Sequence, residues 1–393
     1  MPQVRTVLNQ LYEILPLEAF DSFVRQHEAD KWVKHFTTKN QLKVMLYAQA
    51  QEKDSLRDIE LGLKVRDSIC KGLKIKPVSR STLSRGNRDR PYDIFESLFY
   101  ELLNKCQNLS IGRTSKLPFA FKNDLYALDA TVIDLCLNLF PWASFRKTKG
   151  AIKLHTLFNV RSQIPELIIE SDGKTHDIEV ARLIDLEKLS KGSVITIDRA
   201  YIDYTFLNDI HKHEHTFVTR IKSNTHIVTL EDYKINEKGV LKDQRIAFVL
   251  EDAIEAYPED LRLIEYKDEK TNKVYQFITN NFDFSAKTIA DLYKQRWQVE
   301  LFFKWIKQHL KIKTFFGTSK NAVMTQVWIA MIYYLLLSWI KYQTKFKGSL
   351  LSLSRMIAEV LLEKVSIIHI IRLTPKTISK ALVRGSPHQL SLF

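Results

Sequence analysis

Cysteine is scarce in this chain of 393 residues. Cys70, Cys106 and Cys136 are too few and too scattered for a disulfide framework or a cysteine-based zinc site, which fits core thiols in a reducing cytoplasm. The first residues do not read as a signal segment. Long apolar runs are missing as well: the most apolar stretch, 327–340, is short against a bilayer core of roughly 30 Å and reads as a buried helix. Acidic residues are outnumbered, 45 against 59 Lys and Arg, and the formal charge is +14. That excess favours a polyanionic partner through attraction to phosphates and release of counterions, and with no membrane segment the partner reads as nucleic acid. The length suggests two or three domains.

What is present points to one site. Tyr293, Arg296, Glu300 and Lys307 lie at offsets of 0, 3, 7 and 14. On one continuous helix, at about 100° per residue, all four fall within about 60° of one another. Leu292, Val299, Phe303, Ile306 and Leu310 form a neighbouring apolar stripe, so the helix is expected to pack on a core and hold Glu300 at the edge of a cleft. A carboxylate flanked by cations suggests metal-dependent chemistry on a nucleic acid. Taken alone, the pattern equally fits a solvated helix face with ordinary charge pairs.

Two short apolar segments upstream also carry an Asp. Residues 125–137 read as a buried strand containing Asp129 and Asp134, and residues 193–198 as a second strand ending in Asp198. Side chains alternate along a strand, so Asp129 and Asp134 face opposite ways and only one can join Asp198. Asp129 is the expected member, with Asp134 facing away. Ionised carboxylates in such apolar company are costly unless paired or bound to a cation, and a third on the Glu300 helix favours a metal site.

Further strands are expected at 152–160, 164–170 and 215–222, with helices at 176–189 and 201–213 and Ser285 as the cap of the helix reaching Glu300. Roughly sixty residues then separate the 215–222 strand from that helix, with strand-like runs at 245–250, 261–266 and 274–279. They are expected to form an inserted β subdomain. The amino-terminal hundred residues read as helical. Within them, residues 71–90 hold seven cations, and Arg80 and Arg85 begin what resembles a recognition helix, although a solvated basic loop is the plainer reading. Arg146, Lys147, Lys149 and Lys153 form a second basic group near the first Asp strand. His211, His213 and His215 are set aside as a metal site, because the hard cations of phosphoryl transfer prefer oxygen ligands.

With these residues in view, the chain resembles the DDE transposases of the insertion sequence four family. The likeness rests on the Tyr293, Arg296, Glu300, Lys307 signature and on the surroundings of Asp129, Asp198 and the 142–155 segment, and it spans about 120–340. It implies a ribonuclease-H-like α/β core with an inserted β-rich subdomain that helps hold DNA, and a helical amino-terminal DNA-binding domain. The organisation expected is 1–115 helical, 116–222 and 284–345 core, 223–283 insertion and 346–393 a helical carboxy-terminal region. It implies that Asp129, Asp198 and Glu300 bind two Mg²⁺ ions, with Mn²⁺ substituting, for cut-and-paste transposition through a hairpin. Tyr293, Arg296, Lys307, Arg146, Lys147, Lys153, Arg80 and Arg85 are expected on double-stranded DNA, in a synaptic homodimer in a prokaryotic cytoplasm. Two rivals stay open: a metal-dependent nuclease without strand transfer, and a non-catalytic DNA-binding regulator derived from a transposase.

Overall fold

A computed structural model describes residues 5–65, 70, 73–108, 117, 121–146, 149–309 and 315–372. In chain order, six helices come first: α1 (Val7–Ile14), α2 (Leu17–Gln26), α3 (Thr38–Ala50), α4 (Leu56–Val65), α5 (Arg80–Asp89) and α6 (Asp93–Asn108). Next come strands β1 (Leu125–Leu135), β2 (Ser144–Arg146), β3 (Lys149–Asn159) and β4 (Ile164–Asp172), helix α7 (Asp177–Ala181), β5 (Val194–Ile197), helix α8 (Tyr204–Lys212) and β6 (Thr216–Arg220). Then follow β7 (Ile227–Asp232), β8 (Val240–Phe248), helix α9 (Glu251–Ala256), β9 (Leu261–Lys267) and β10 (Val274–Thr279). Helices α10 (Ala286–Lys294), α11 (Trp297–His309), α12 (Lys320–Thr344), α13 (Leu350–Val360) and α14 (Ile367–Arg372) complete the order. The protein is thus mixed α/β, in two compact units: Met1–Ile111 with Gln308–Phe393, and Gly112–Lys307.

The first unit is helical throughout its described residues. Hydroxyl caps start five of its helices: Thr6, Thr37, Ser79, Ser319 and Ser349 each accept from the backbone amide three residues on, satisfying a donor the helix itself leaves orphaned. Helix α12 is its spine and packs with α3, α5, α6 and α13. The apolar run at 327–340 is only part of this 25-residue helix, so length and composition by themselves do allow it to cross a membrane. Burial supplies the argument that length does not: 94% of its most apolar stretch is enclosed within the protein. Its packing partners also put α12 with the first unit, whereas 284–345 had been expected to belong to the core.

In the second unit the described strands form one ten-stranded sheet, in the order β2-β3-β1-β5-β6-β10-β9-β8-β7, with β4 also on β3. β1 runs antiparallel to β3 and parallel to β5, and β6 runs parallel to β5. All four residues of β5 are buried, as a central parallel strand covered on both faces requires. The expected insertion does not stand apart. β10 pairs antiparallel with β6, so β7 to β10 lengthen the same sheet. Asp243 and Arg262, both nearly buried, join β8 to β9 through a two-pronged ion pair at 2.7 Å, and Arg262 also donates to the Phe284 carbonyl at 2.5 Å, just before α10. The helix expected at 176–189 is shorter, being α7 and then one turn at Leu186–Lys188, and that expected at 201–213 is a turn at Arg199–Tyr201 followed by α8.

Candidate active site

Two strands set the first pair of carboxylates. Leu128 on β1 lies opposite Ile197 on the parallel β5, so the next residues, Asp129 within β1 and Asp198 just past the end of β5, stand side by side. Adjacent strands are about 4.8 Å apart, and in-register neighbours point to the same face. Asp198 is held by the turn it caps, accepting from the Ala200 amide at 3.1 Å. Asp129 accepts from the Ala130 amide at 2.8 Å. Asp134, an odd number of positions away, is exposed, as strand alternation requires.

The third carboxylate arrives on a helix that is not the one expected. Helix α10, capped by Ser285, stops at Lys294, and α11 begins at Trp297. Through the join, amides bond three residues back: Gln295 to Leu292, Arg296 to Tyr293, Gln298 to Gln295 and Val299 to Arg296. This tighter winding breaks the uniform 100° step. Tyr293 therefore lies in the last turn of α10, Arg296 sits in the break, and Glu300 and Lys307 ride on α11. The apolar stripe holds: Leu292, Val299, Phe303 and Ile306 are buried, and Phe302 stacks on Phe158 of β3 at 5.1 Å. Leu310 lies outside the described residues.

Arg296 joins the acids. One guanidinium nitrogen donates to Asp129 and the other to Glu300 Oε1 at 2.6 Å, while its ring-facing side lies 5.9 Å from the centroid of Tyr293. Its side chain is 15% exposed, against 19% for Asp129 and 34% for Glu300. Burial pushes the Asp129 carboxyl up to about 6; Arg296 and the Ala130 amide pull it down, and the charges of Asp198 and Glu300 push it up again. Burial likewise opposes the charge on Arg296, but Asp129, Tyr293, Glu300 and Asp198 outweigh it and its pKa rises. These mutual effects put the three carboxylates within one electrostatic neighbourhood. Sequence spacing had suggested that Arg296 faces a DNA backbone. Here it faces the acids.

A polar layer to which the sequence assigns no role lies behind the acids. His155 on β3 contacts the Tyr201 hydroxyl through Nδ1 and Ser171 Oγ through Nε2, both at 2.9 Å. Tyr201 is buried three residues beyond Asp198, and its pKa is raised first by burial and then by Asp177, Asp129 and Asp198. Burial lowers His155 to about 4. The signal for both was apolar context around a polar side chain, which does not reveal its partner.

The remaining candidates divide. Lys153 is 17% exposed and bound to Asp177 at 2.5 Å, so its charge is already matched. Lys307 is exposed on α11. Lys147 and the side chain of Arg146 lie outside the described residues. In the first unit, Arg80 and Arg85 are exposed on α5, while Arg88 pairs with Asp89 and Arg90 is buried, donating to Gln41 at 3.0 Å and to the Phe36 carbonyl. His211, His213 and His215 go to separate partners: the Tyr257 hydroxyl and the carbonyls of Asp209 and Leu186.

Among the described residues no three ligands already converge on one cation position. The donor set nonetheless suits a hard divalent ion: oxygen ligands only, a carboxyl driven up by burial, and a cationic group already lodged between two of the acids.

A family profile described as Transposase DDE domain matches residues 120–336, and a domain of unknown function matches 3–68. A probable transposase for insertion sequence element IS5377 from Geobacillus stearothermophilus is 31% identical over 67% of this chain and 68% of its own length. The putative transposase y4zB of Sinorhizobium fredii is 30% identical over 79% and 85%. A putative transposase for element IS4SA from Synechocystis is 23% identical over 76% and 83%. The solved piggyBac transposase synaptic complex with hairpin DNA aligns at 12% identity, with a TM-score of 0.47 over 98% of this chain and 86% of that one.

Proposed function

The chain belongs to the DDE transposase family of insertion sequences, and we propose that Asp129, Asp198 and Glu300 are the acidic triad with which it cuts and joins DNA by a cut-and-paste route. The observation that carries this is the registered pair of Asp129, within β1, and Asp198, just past the end of the parallel β5, with Glu300 tied to Asp129 through one guanidinium. The core is ribonuclease-H-like on this reading: antiparallel β4, β3 and β1 followed by parallel β5 and β6 support it.

The three carboxylates would hold two divalent cations, Mg²⁺ or Mn²⁺ in its place. Cations bound there would supply Lewis acidity to the attacking water or 3′ hydroxyl and to the leaving oxygen of an in-line displacement at phosphorus. The protein's own task is to fix the oxygens: the strands hold the two Asp side chains in register, the Ala130 and Ala200 amides orient them, and packing of α11 on β3 sets Glu300. The buried Tyr201 hydroxyl, held by His155, backs the Asp198 turn. Arg80, Arg85 and Lys307 take phosphates of double-stranded DNA, contacts that position rather than specify. An element has two ends, so the working form is a synaptic homodimer acting in the bacterial cytoplasm.

The test is cleavage and strand transfer on the element's end DNA with Mg²⁺. Asp129→Asn, Asp198→Asn and Glu300→Gln each abolish both reactions and leave DNA binding intact, while the exposed Asp134→Asn stays active. Near-normal cleavage by any of the three would remove that residue from the triad. Cleavage without joining of precut ends would favour the nuclease reading instead.

A further inference from the structure

We propose that Arg296 is the resident counter-ion of the site: it occupies the space between Asp129 and Glu300 that a divalent cation needs, and it leaves when a DNA phosphate takes over its guanidinium. The proposal rests on the triad reading above. One planar group spans both acids, with a nitrogen on each, and its two prongs fit two carboxylates as they would fit one phosphate. It sits in the break between α10 and α11, where its backbone makes three-residue hydrogen bonds to Tyr293 and from Val299 in place of the four-residue ladder.

The remaining contacts suit a group that must move. The buried Nε of Arg296 has no hydrogen-bond partner among the described residues, and Tyr293 meets the guanidinium with its ring at 5.9 Å and a side-chain hydrogen bond, contacts weaker than a paired charge. Tyr293 itself is anchored against Phe277 at 4.9 Å. With the guanidinium in place the acids do not converge on one cation position. Its departure removes both the positive charge that repels a dication and the spacer between two of the ligands. Cation loading is thereby coupled to DNA: a phosphate that draws Arg296 away also opens the site, so metal-dependent chemistry is withheld until DNA is in place.

The experiment measures Mn²⁺ binding to the full chain by electron paramagnetic resonance, without and with a mixed-sequence duplex at low salt, where phosphate contacts form regardless of sequence. Without DNA, Arg296→Gln is expected to bind Mn²⁺ at least about tenfold more tightly than the wild type, since a cation in direct contact with the ligands is gone. Arg296→Lys gains less, because an ammonium keeps the charge but cannot bridge both acids. Duplex DNA tightens Mn²⁺ binding by the wild type and leaves Arg296→Gln unchanged. Circular dichroism and melting establish that the variants are folded, and Arg296→Lys, which keeps the charge, serves if Arg296→Gln is not. Equal or weaker Mn²⁺ binding by a folded Arg296→Gln overturns the proposal and makes the residue a fixed strut. Absence of saturable binding in both proteins sinks the triad reading instead.

Discussion

Asp129→Asn should make the metal-free protein more stable, and the amount can be worked from the site. The Asp129 carboxyl sits at about 6 when folded and near 3.8 when exposed. Between these values the folded chain binds more protons than the unfolded one, so this group's contribution to stability is highest below pH 3.8, falls as pH rises to about 6, and is flat above. A shift of about two units corresponds to about 3 kcal/mol at pH 7.5, with the help of Arg296 already included. Asparagine carries no charge and escapes that cost. Urea denaturation of both proteins at pH 4, 5, 6 and 7.5 without divalent ions should show a gap of only about 0.5 kcal/mol at pH 4 and one approaching about 3 kcal/mol at pH 7.5. For a unit the size of Gly112–Lys307, this is a melting shift of about 6 to 12 °C. Added Mg²⁺ should narrow the gap, because only the wild type gains by binding it. A variant no more stable than wild type at pH 7.5, or a gap unchanged between pH 4 and 7.5, would refute the reasoning. A functional carboxylate held at a cost to stability fits a site whose charge is meant for a cation.

Other perturbations follow from the same geometry. His155, lowered by burial to about 4 and faced by Asp177, Lys153, Tyr201 and Ser171, stays neutral while an unfolded histidine takes up a proton below about 6.5, so it subtracts up to about 3 kcal/mol as pH falls from 6.5 to 4. The stability of His155→Gln relative to wild type should therefore rise across that window, and a flat difference would show that His155 titrates normally. Arg262→Met leaves Asp243 buried without its partner and should cost about 3 to 5 kcal/mol in urea denaturation, most of it recovered by adding Asp243→Leu; a cost below about 1 kcal/mol would mean the pair behaves as if solvated. Arg80→Ala and Arg85→Ala should each flatten the salt dependence of DNA binding by about one unit of slope with melting unchanged, whereas Lys153→Ala should leave the slope alone and lower the melting temperature by freeing Asp177. Identical slopes for wild type, Arg80→Ala and Arg85→Ala would take α5 off the DNA surface.

The two proposed strand-borne acids stood out because each follows an apolar segment; alternation put Asp129 and Asp134 on opposite faces, and the place of Asp134 further along the hairpin made Asp129 the expected member. The break between α10 and α11 did not stand out, since neither glycine nor proline marks residues 295–296. It shows only as three-residue hydrogen bonds, and it redirects Arg296 from the expected backbone-facing stripe onto the acids. The extra strands were partly legible, but β7, exposed along nearly its whole length, has no buried face to set a period. That β10 pairs with β6 is a long-range choice that local patterns do not contain. Lys153 read as a free cation because its partner Asp177 lies 24 positions away on α7.

The most direct measurement is anomalous diffraction from crystals of the protein soaked in Mn²⁺ with bound duplex DNA. The account predicts a peak about 2.1 Å from carboxylate oxygens of Asp129 and Asp198, with Glu300 turned toward the cation pair and the Arg296 guanidinium moved onto a phosphate. Saturating Mn²⁺ with no peak at these acids, and Arg296 still bridging Asp129 and Glu300, would contradict it.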